Sequence, residues 1–166
     1  MKYLYALLLS TTLMFASSKN SSFPIGSAAP AVTAIDHNGD AIDLGEALSE
    51  KLSLVFFYPK AHTPGCTQQA CSLRDAFSLL QEKGVQVFGV SSDSPKSQKS
   101  FRDKNALPYT LISDKKSVIA NAFGKSRWSR HAYLFNQGVL IWKDTHGATA
   151  SQGEEAIAAL KALGLY

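Results

Sequence analysis

Beyond a strongly apolar N-terminal block, the chain alternates short apolar runs with stretches of helical periodicity. Leu52-Ser-Leu-Val-Phe-Phe-Tyr58 is an almost unbroken apolar run and reads as a buried strand. Ser72-Leu-Arg-Asp-Ala-Phe-Ser-Leu-Leu80 repeats at helical spacing, predicting a helix from about Cys66 to Lys83 that stops before Gly84. Ala31–Ile35 and Ala41–Asp43 flank Asn38-Gly39, a strong hairpin signal. A short helix is expected over Glu46–Glu50, then strands over Val85–Ser91 and Thr110–Ile112. Between those strands Pro95 opens a helix reaching about Lys104. A helix over Ser117–Phe123 is closed by Gly124. Ala132–Phe135 and Val139–Lys143 form a second hairpin across Asn136-Gln-Gly138, and Glu154–Leu163 is an amphipathic helix. Strands that alternate with helices and end in a hairpin and a helix predict an α/β layer fold. Repeats and low-complexity tracts are absent from the sequence.

The first residues follow a different pattern. Lys2 precedes Tyr3–Phe15, which is mostly apolar, and then come the small residues Ala16, Ser17 and Ser18. That order is the n-region, h-region and small-residue pattern of a secretory signal. The apolar block falls short of the ~20 residues a membrane span needs. Residues 1–18 are therefore read as a secretory signal peptide, residues 19–24 as a linker and residues 25–166 as the folded domain. The expected address is a bacterial periplasm, with an uncleaved, membrane-tethering signal as the alternative and no stable membrane association once the signal is removed. An exported chain meets oxidising conditions, which bears on its two cysteines. With 166 residues, 45% hydrophobic content and a formal charge of +4, the sequence supports one ordinary core. Its basic residues are scattered, without the clusters or basic-aromatic alternation that mark a nucleic-acid partner.

Both cysteines lie in Tyr58-Pro-Lys-Ala-His-Thr-Pro-Gly-Cys-Thr-Gln-Gln-Ala-Cys71, between the central strand and the long helix. Pro59, Thr63, Pro64 and Gly65 stiffen the loop and let backbone approach a ligand. Cys66 then sits where loop becomes helix, beside unpaired N–H groups and the positive end of the helix dipole. A thiol so placed tends toward the thiolate, its nucleophilic form. On a continuous helix, residues five apart are separated by roughly 7.5 Å along the axis and point to nearly opposite sides. Disulfides rarely tolerate Cα separations beyond about 7 Å, so Cys66 and Cys71 can pair only if the start of the helix unwinds. A purely structural disulfide closing so short a loop would contribute only about 2 kcal/mol. Redox chemistry with two working conformations is the reading these residues favour.

The segment resembles the active-site motif of peroxiredoxins, PxxxTxxC, matched by Pro59, Thr63 and Cys66. The second cysteine, within Gly65-Cys-Thr-Gln-Gln-Ala-Cys-Ser-Leu-Arg-Asp75, is similar to the bacterioferritin comigratory protein or peroxiredoxin-Q type. Phe88–Asp93, Phe101–Asp114 and Ile25-Gly-Ser-Ala-Ala-Pro30 resemble further family segments in order and spacing. The resemblance implies a thioredoxin-like α/β fold, a central mixed β-sheet flanked by helices, with an N-terminal β-hairpin. It implies that Cys66 attacks hydrogen peroxide or an organic hydroperoxide and becomes a sulfenic acid, and that Cys71 resolves it as an intramolecular disulfide. A thioredoxin-like or other dithiol reductant would then restore both thiols. Thr63 is expected to place its hydroxyl beside the sulfur and Pro59 to shield the thiolate. In the family a guanidinium arrives from a distant strand start, and Ser129-Arg-His-Ala-Tyr-Leu-Phe135 resembles that segment, making Arg130 the expected donor and Arg127 its runner-up. A monomer is expected, and no metal, flavin or nucleotide is required.

His62 stands where the family usually carries an apolar residue, and it reads as an exposed loop histidine. Trp128 and Trp142 read as packing residues rather than as parts of a substrate mouth. His37, His131 and His146 are scattered, with no spacing to the cysteines that marks a zinc site. Two other classes stay in view. An exported thioredoxin-fold chaperone would bind copper(I) through Cys66, Cys71 and His62. A thiol–disulfide oxidoreductase would usually carry C-x-x-C, which this chain lacks.

Overall fold

A computed structural model describes residues 23–166. The chain runs β1 (Thr33–Asp36), β2 (Ala41–Asp43), α1 (Leu44–Glu50), β3 (Ser53–Phe57), α2 (Pro64–Asp75), α3 (Phe77–Glu82), β4 (Gln86–Ser91), α4 (Pro95–Lys104), β5 (Thr110–Ser113), α5 (Val118–Ala122), β6 (His131–Asn136), β7 (Val139–Asp144) and α6 (Gln152–Ala162). The signal-peptide reading over 1–18 lies outside the described residues, as does most of the linker. The linker reading fails at its end, because Phe23 packs on the domain with its ring 5.0 Å from that of Phe123.

All seven strands join one mixed sheet, ordered β2-β1-β5-β4-β3-β6-β7. Three central strands, β3, β4 and β5, are parallel, while β6, β7, β1 and β2 extend both edges antiparallel. Every residue of β3 is buried, because helices cover both faces and a central strand has no solvent side. Leu54, Phe56 and Tyr58 enter one core with Ala70, Leu73, Leu80, Phe101 and Leu160. Val55 and Phe57 enter the other with Leu44, Leu48, Ile119 and Phe123. The alternation of side chains along one strand thus fills two layers, and α2, α4 and α6 share one face while α1 and α5 share the other.

The long helix expected over Cys66–Lys83 is two helices that break at Ala76, which caps the first and starts the second. Neither glycine nor proline marks the break; it lies where the start of α6 presses on Ser72 and Ala76. A Cβ on Gly153 would come within 2.4 Å of the Ser72 carbonyl oxygen and 2.8 Å of the Ala76 Cβ. The stop at Gly84 is as expected: its φ of +73 and the hydrogen bond from the Val85 N–H to the Leu80 carbonyl form a left-handed helix terminus. The first helix begins at Leu44 rather than Glu46, because the Asp43 carboxylate accepts the Glu46 N–H at 3.0 Å and moves the N-cap forward. Conversely, Ser117 and Phe123 are the caps of α5 rather than its body.

Candidate active site

The site is assembled by sheet register. Phe57, the last residue of β3, pairs with His131, the first of β6. Arg130 therefore stands beside the loop that leaves β3 and turns into α2. Thr63 is the N-cap, Pro64 the first helical residue, and Cys66 the third. Among the described residues the Thr63 side chain makes no cap hydrogen bond, so the amides of Gly65 and Cys66 stay open to an incoming acceptor.

Cys66 is 1% exposed and is not in a disulfide, as Cys71 also is not. Arg130 Nη2 donates to Cys66 Sγ at 3.5 Å. Gly65 makes room for that approach, since a Cβ there would lie 3.3 Å from Arg130 Nη2. The guanidinium is held from behind: its Nη1 donates to Gln69 Oε1 at 2.7 Å, and Gln69 Nε2 donates to Gln152 Oε1 at 2.9 Å. Both glutamines are fully buried. Gln152 Nε2 ends the chain without a partner among the described residues. A third support is the loop after β7, where Gly147 packs on Arg130 and Asp144 accepts the N–H groups of His146 and Ala148 at 2.7 and 3.2 Å.

The loop itself is tied to the sheet. Tyr58 donates its phenolic proton to Gln98 Oε1. Gln98 Nε2 in turn donates to Ser91 Oγ and to the Ile112 carbonyl, both at 2.9 Å. Ser91 Oγ donates to Asp93 Oδ2 at 2.7 Å, and the same carboxylate oxygen accepts the Ala61 N–H at 2.8 Å. Burial pushes the Tyr58 phenol far above its ordinary range, so it acts as a fixed donor rather than an acid. One hydrogen-bonded chain thus fixes the loop on which Cys66 is presented.

The second cysteine lies farther along α2 and is half-buried. Arg74, one turn on, donates from Nη1 to Cys71 Sγ at 3.4 Å. Tyr109 donates to the Ala70 carbonyl at 2.7 Å, pinning the helix between the two thiols.

Of the residues expected at the site, Cys66 and Arg130 meet directly. Thr63 is adjacent in the chain, but its hydroxyl donates to the Lys60 carbonyl at 2.9 Å, closing the loop on itself rather than facing the sulfur. Pro59 is half-buried just after Tyr58. Arg127 is elsewhere, its guanidinium 4.9 Å over the ring of Trp128, which removes it as the donor to Cys66. Trp128 is 62% exposed and does not pack in a core, whereas Trp142 does. His62 is exposed, with φ of 63 and its ring edge-on to Phe101. His131 is held down to about 4, chiefly by burial and then by the nearby Lys125 charge. Gln69 and Gln152 join the site without any marker in the local sequence, since each is placed by the packing of α2 against α6.

A thioredoxin-like sheet that presents a buried thiol at a helix start to a guanidinium, with a second thiol on the same helix, defines a cysteine-dependent redox protein. Residues 25–142 match the AhpC/TSA family model. The chain is 38% identical over 109 residues to peroxiredoxin Bcp of Escherichia coli, covering 66% of this chain and 68% of that protein. It is 40% identical over 143 residues to a chloroplastic peroxiredoxin Q of Populus jackii, covering 82% and 63%. Among solved structures, peroxidoxin BcpB of Mycobacterium tuberculosis superposes with a TM-score of 0.76 at 25% identity, over 84% of this chain and 97% of that one. This chain belongs to the AhpC/TSA family, on its peroxiredoxin Bcp and Q side, and is a thiol-dependent peroxidase.

Proposed function

We propose that Cys66 is the peroxidatic nucleophile and Cys71 the resolving cysteine of a cycle contained in one chain. The observation that carries this reading is the 3.5 Å contact from Arg130 Nη2 to Cys66 Sγ at the start of the helix that also bears Cys71. A thiolate at Cys66 attacks one peroxide oxygen; the S–O bond forms as O–O breaks, and the second oxygen leaves as hydroxide or alkoxide and takes up a proton. Lowering a thiol's pKa is insufficient by itself, because nucleophilicity falls with pKa. The fixed guanidinium and the open amides of the helix start supply the rest by facing the charge that develops on the peroxide. The Cys66 sulfenic acid is then attacked by Cys71 after the first turns of α2 unwind, giving the disulfide and water. A thioredoxin-like dithiol returns both thiols. Because both cysteines lie on one helix, no second copy of the chain is needed, and the protein acts as a monomer. The n-region, h-region and small residues of positions 1–18 support export to a periplasm, with the reductant drawn from that compartment.

The test is a single turnover of the reduced protein with one equivalent of hydrogen peroxide, followed by tryptophan fluorescence and thiol count. Fast loss of both thiols with a Cys66–Cys71 linkage by mass is expected. Cys66→Ser should abolish consumption, and Cys71→Ser should consume about one equivalent and stall as a sulfenic acid or an intermolecular disulfide. Normal activity in Cys66→Ser would sink the assignment, and sustained cycling of Cys71→Ser with a dithiol donor would remove Cys71 from the cycle.

A further inference from the structure

Each sulfur of the cycle has its own guanidinium, and the second is not explained by peroxide attack. Arg74 Nη1 lies 3.4 Å from Cys71 Sγ, a contact as close as that between Arg130 and Cys66. Arg74 is also held by two other residues, Asn105 and Asp75. The same Nη1 donates to the Asn105 carbonyl at 3.0 Å, where α4 ends and its last carbonyls are open. Its Nε and Nη2 both reach Asp75 Oδ1 at 2.8 Å. Asn105 is itself held by its Nδ2 bond to the Phe101 carbonyl at 2.8 Å. The arginine's charge is reinforced first by its hydrogen bond to Asp75, and Cys71 adds to it.

The position of Arg74 along α2 matters as much as its contact. Residues Cys66–Ala70 must rearrange for the thiols to meet. From Ser72 onward the helix is clamped, with the Gly153 N–H donating to Ser72 Oγ at 2.9 Å and no room for a Cβ at Gly153. Arg74 therefore sits on the half that stays, beside the sulfur at the boundary.

We propose that Arg74 is a catalytic residue of the resolving half-reaction, holding Cys71 Sγ by a charge-assisted hydrogen bond as that sulfur becomes the attacking thiolate. This rests on the cycle assigned above. In the step, the Cys71 sulfur lone pair attacks the sulfenic sulfur of Cys66. The S–S bond forms as the S–O bond breaks, hydroxide departs and is protonated to water, Cys71 is oxidised from thiolate to disulfide, and the Cys66 sulfur is reduced from sulfenic acid to disulfide.

The test compares Arg74→Gln and Arg74→Lys with the unaltered protein in the single-turnover experiment. The peroxide-dependent first phase should stay within about twofold, while the first-order formation of the disulfide slows about tenfold in Arg74→Gln, the scale of one charge-assisted hydrogen bond. Arg74→Lys, which keeps the charge but loses the fork, should fall between. A disulfide phase unchanged in Arg74→Gln overturns the proposal, as does an equal slowing of both phases, which would mark a scaffold residue. A second measurement is independent of peroxide: alkylation of Cys71 by iodoacetamide at pH 7 in a Cys66→Ser background. Arg74→Gln should slow that alkylation, and an unchanged rate counts against the contact even if one of the single-turnover variants fails to fold. If the unaltered protein shows no fast peroxide phase, the cycle fails while the alkylation still reports on Arg74, so the two failures are distinct.

Discussion

Arg130 gives Cys66 a guanidinium donor whose N–H groups are held in a fixed planar fork. Its fork is divided, one nitrogen on the sulfur and the other on Gln69. Arg130→Gln should therefore slow formation of the Cys66 sulfenic acid about a hundredfold, the scale of one lost transition-state donor. The measurement is the second-order rate with hydrogen peroxide, and a loss below about threefold would place the main donor elsewhere. Cys66 and Cys71 were legible in the sequence because they lie in one motif with fixed local spacing, whereas Arg130 was legible only through the resemblance of its segment, with Arg127 as the runner-up. Gln69 and Gln152 were not, because the bond between them joins two helices 83 positions apart, and a glutamine's place in a core depends on what the fold puts beside it. The direction of the Thr63 hydroxyl was equally hidden: the motif places the residue, while the turn at Lys60–Thr63 supplies the nearer acceptor.

Among the elements, α2 carries opposing demands. Its first turns must be ordered enough to aim Cys66 at Arg130 yet able to unwind, while its second half is held by α6. Gly153 is the close point of that clamp. Gly153→Ala would place a methyl 2.4 Å from the Ser72 carbonyl oxygen, and the expected cost is about 1–3 kcal/mol of overpacking. It is read as a lower midpoint in urea, and an unchanged midpoint would show that the helices separate freely. Apolar periodicity located the strands and the helices within a few residues, except that α2 and α3 read as one helix, and proline and glycine marked most of their ends. The break at Ala76 had no such marker. It lies where α6 packs closest to the helix, a contact made by residues far down the chain and absent from any local pattern.

Across the whole molecule, one imidazole held below its ordinary range sits where β6 meets β3. His131 pairs with Phe57 in the sheet, and its Nδ1 lies 2.7 Å from the Tyr133 hydroxyl. Its value falls from 6.5 to about 4, with burial first and Lys125 second among the causes. Above pH 6.5 the imidazole is neutral folded or unfolded and contributes no slope. As pH falls from 6.5 toward 4, the unfolded chain binds a proton that the folded chain resists, so stability declines, and below about 4 the penalty is complete. His131→Asn should flatten this decline, measured as urea midpoints at pH 7.5 and 4.5; an unchanged slope would assign the acid loss to other groups. The order of strands and helices, the buried central strand and the placing of both cysteines on one helix were determined by the sequence alone, because they follow from local periodicity, turn chemistry and short-range motifs. The tertiary structure decided which arginine reaches Cys66, which glutamines hold it, where the long helix breaks and which guanidinium faces Cys71. Those depend on strand register and on helix packing between distant segments, which become defined only when the two cores close around one sheet.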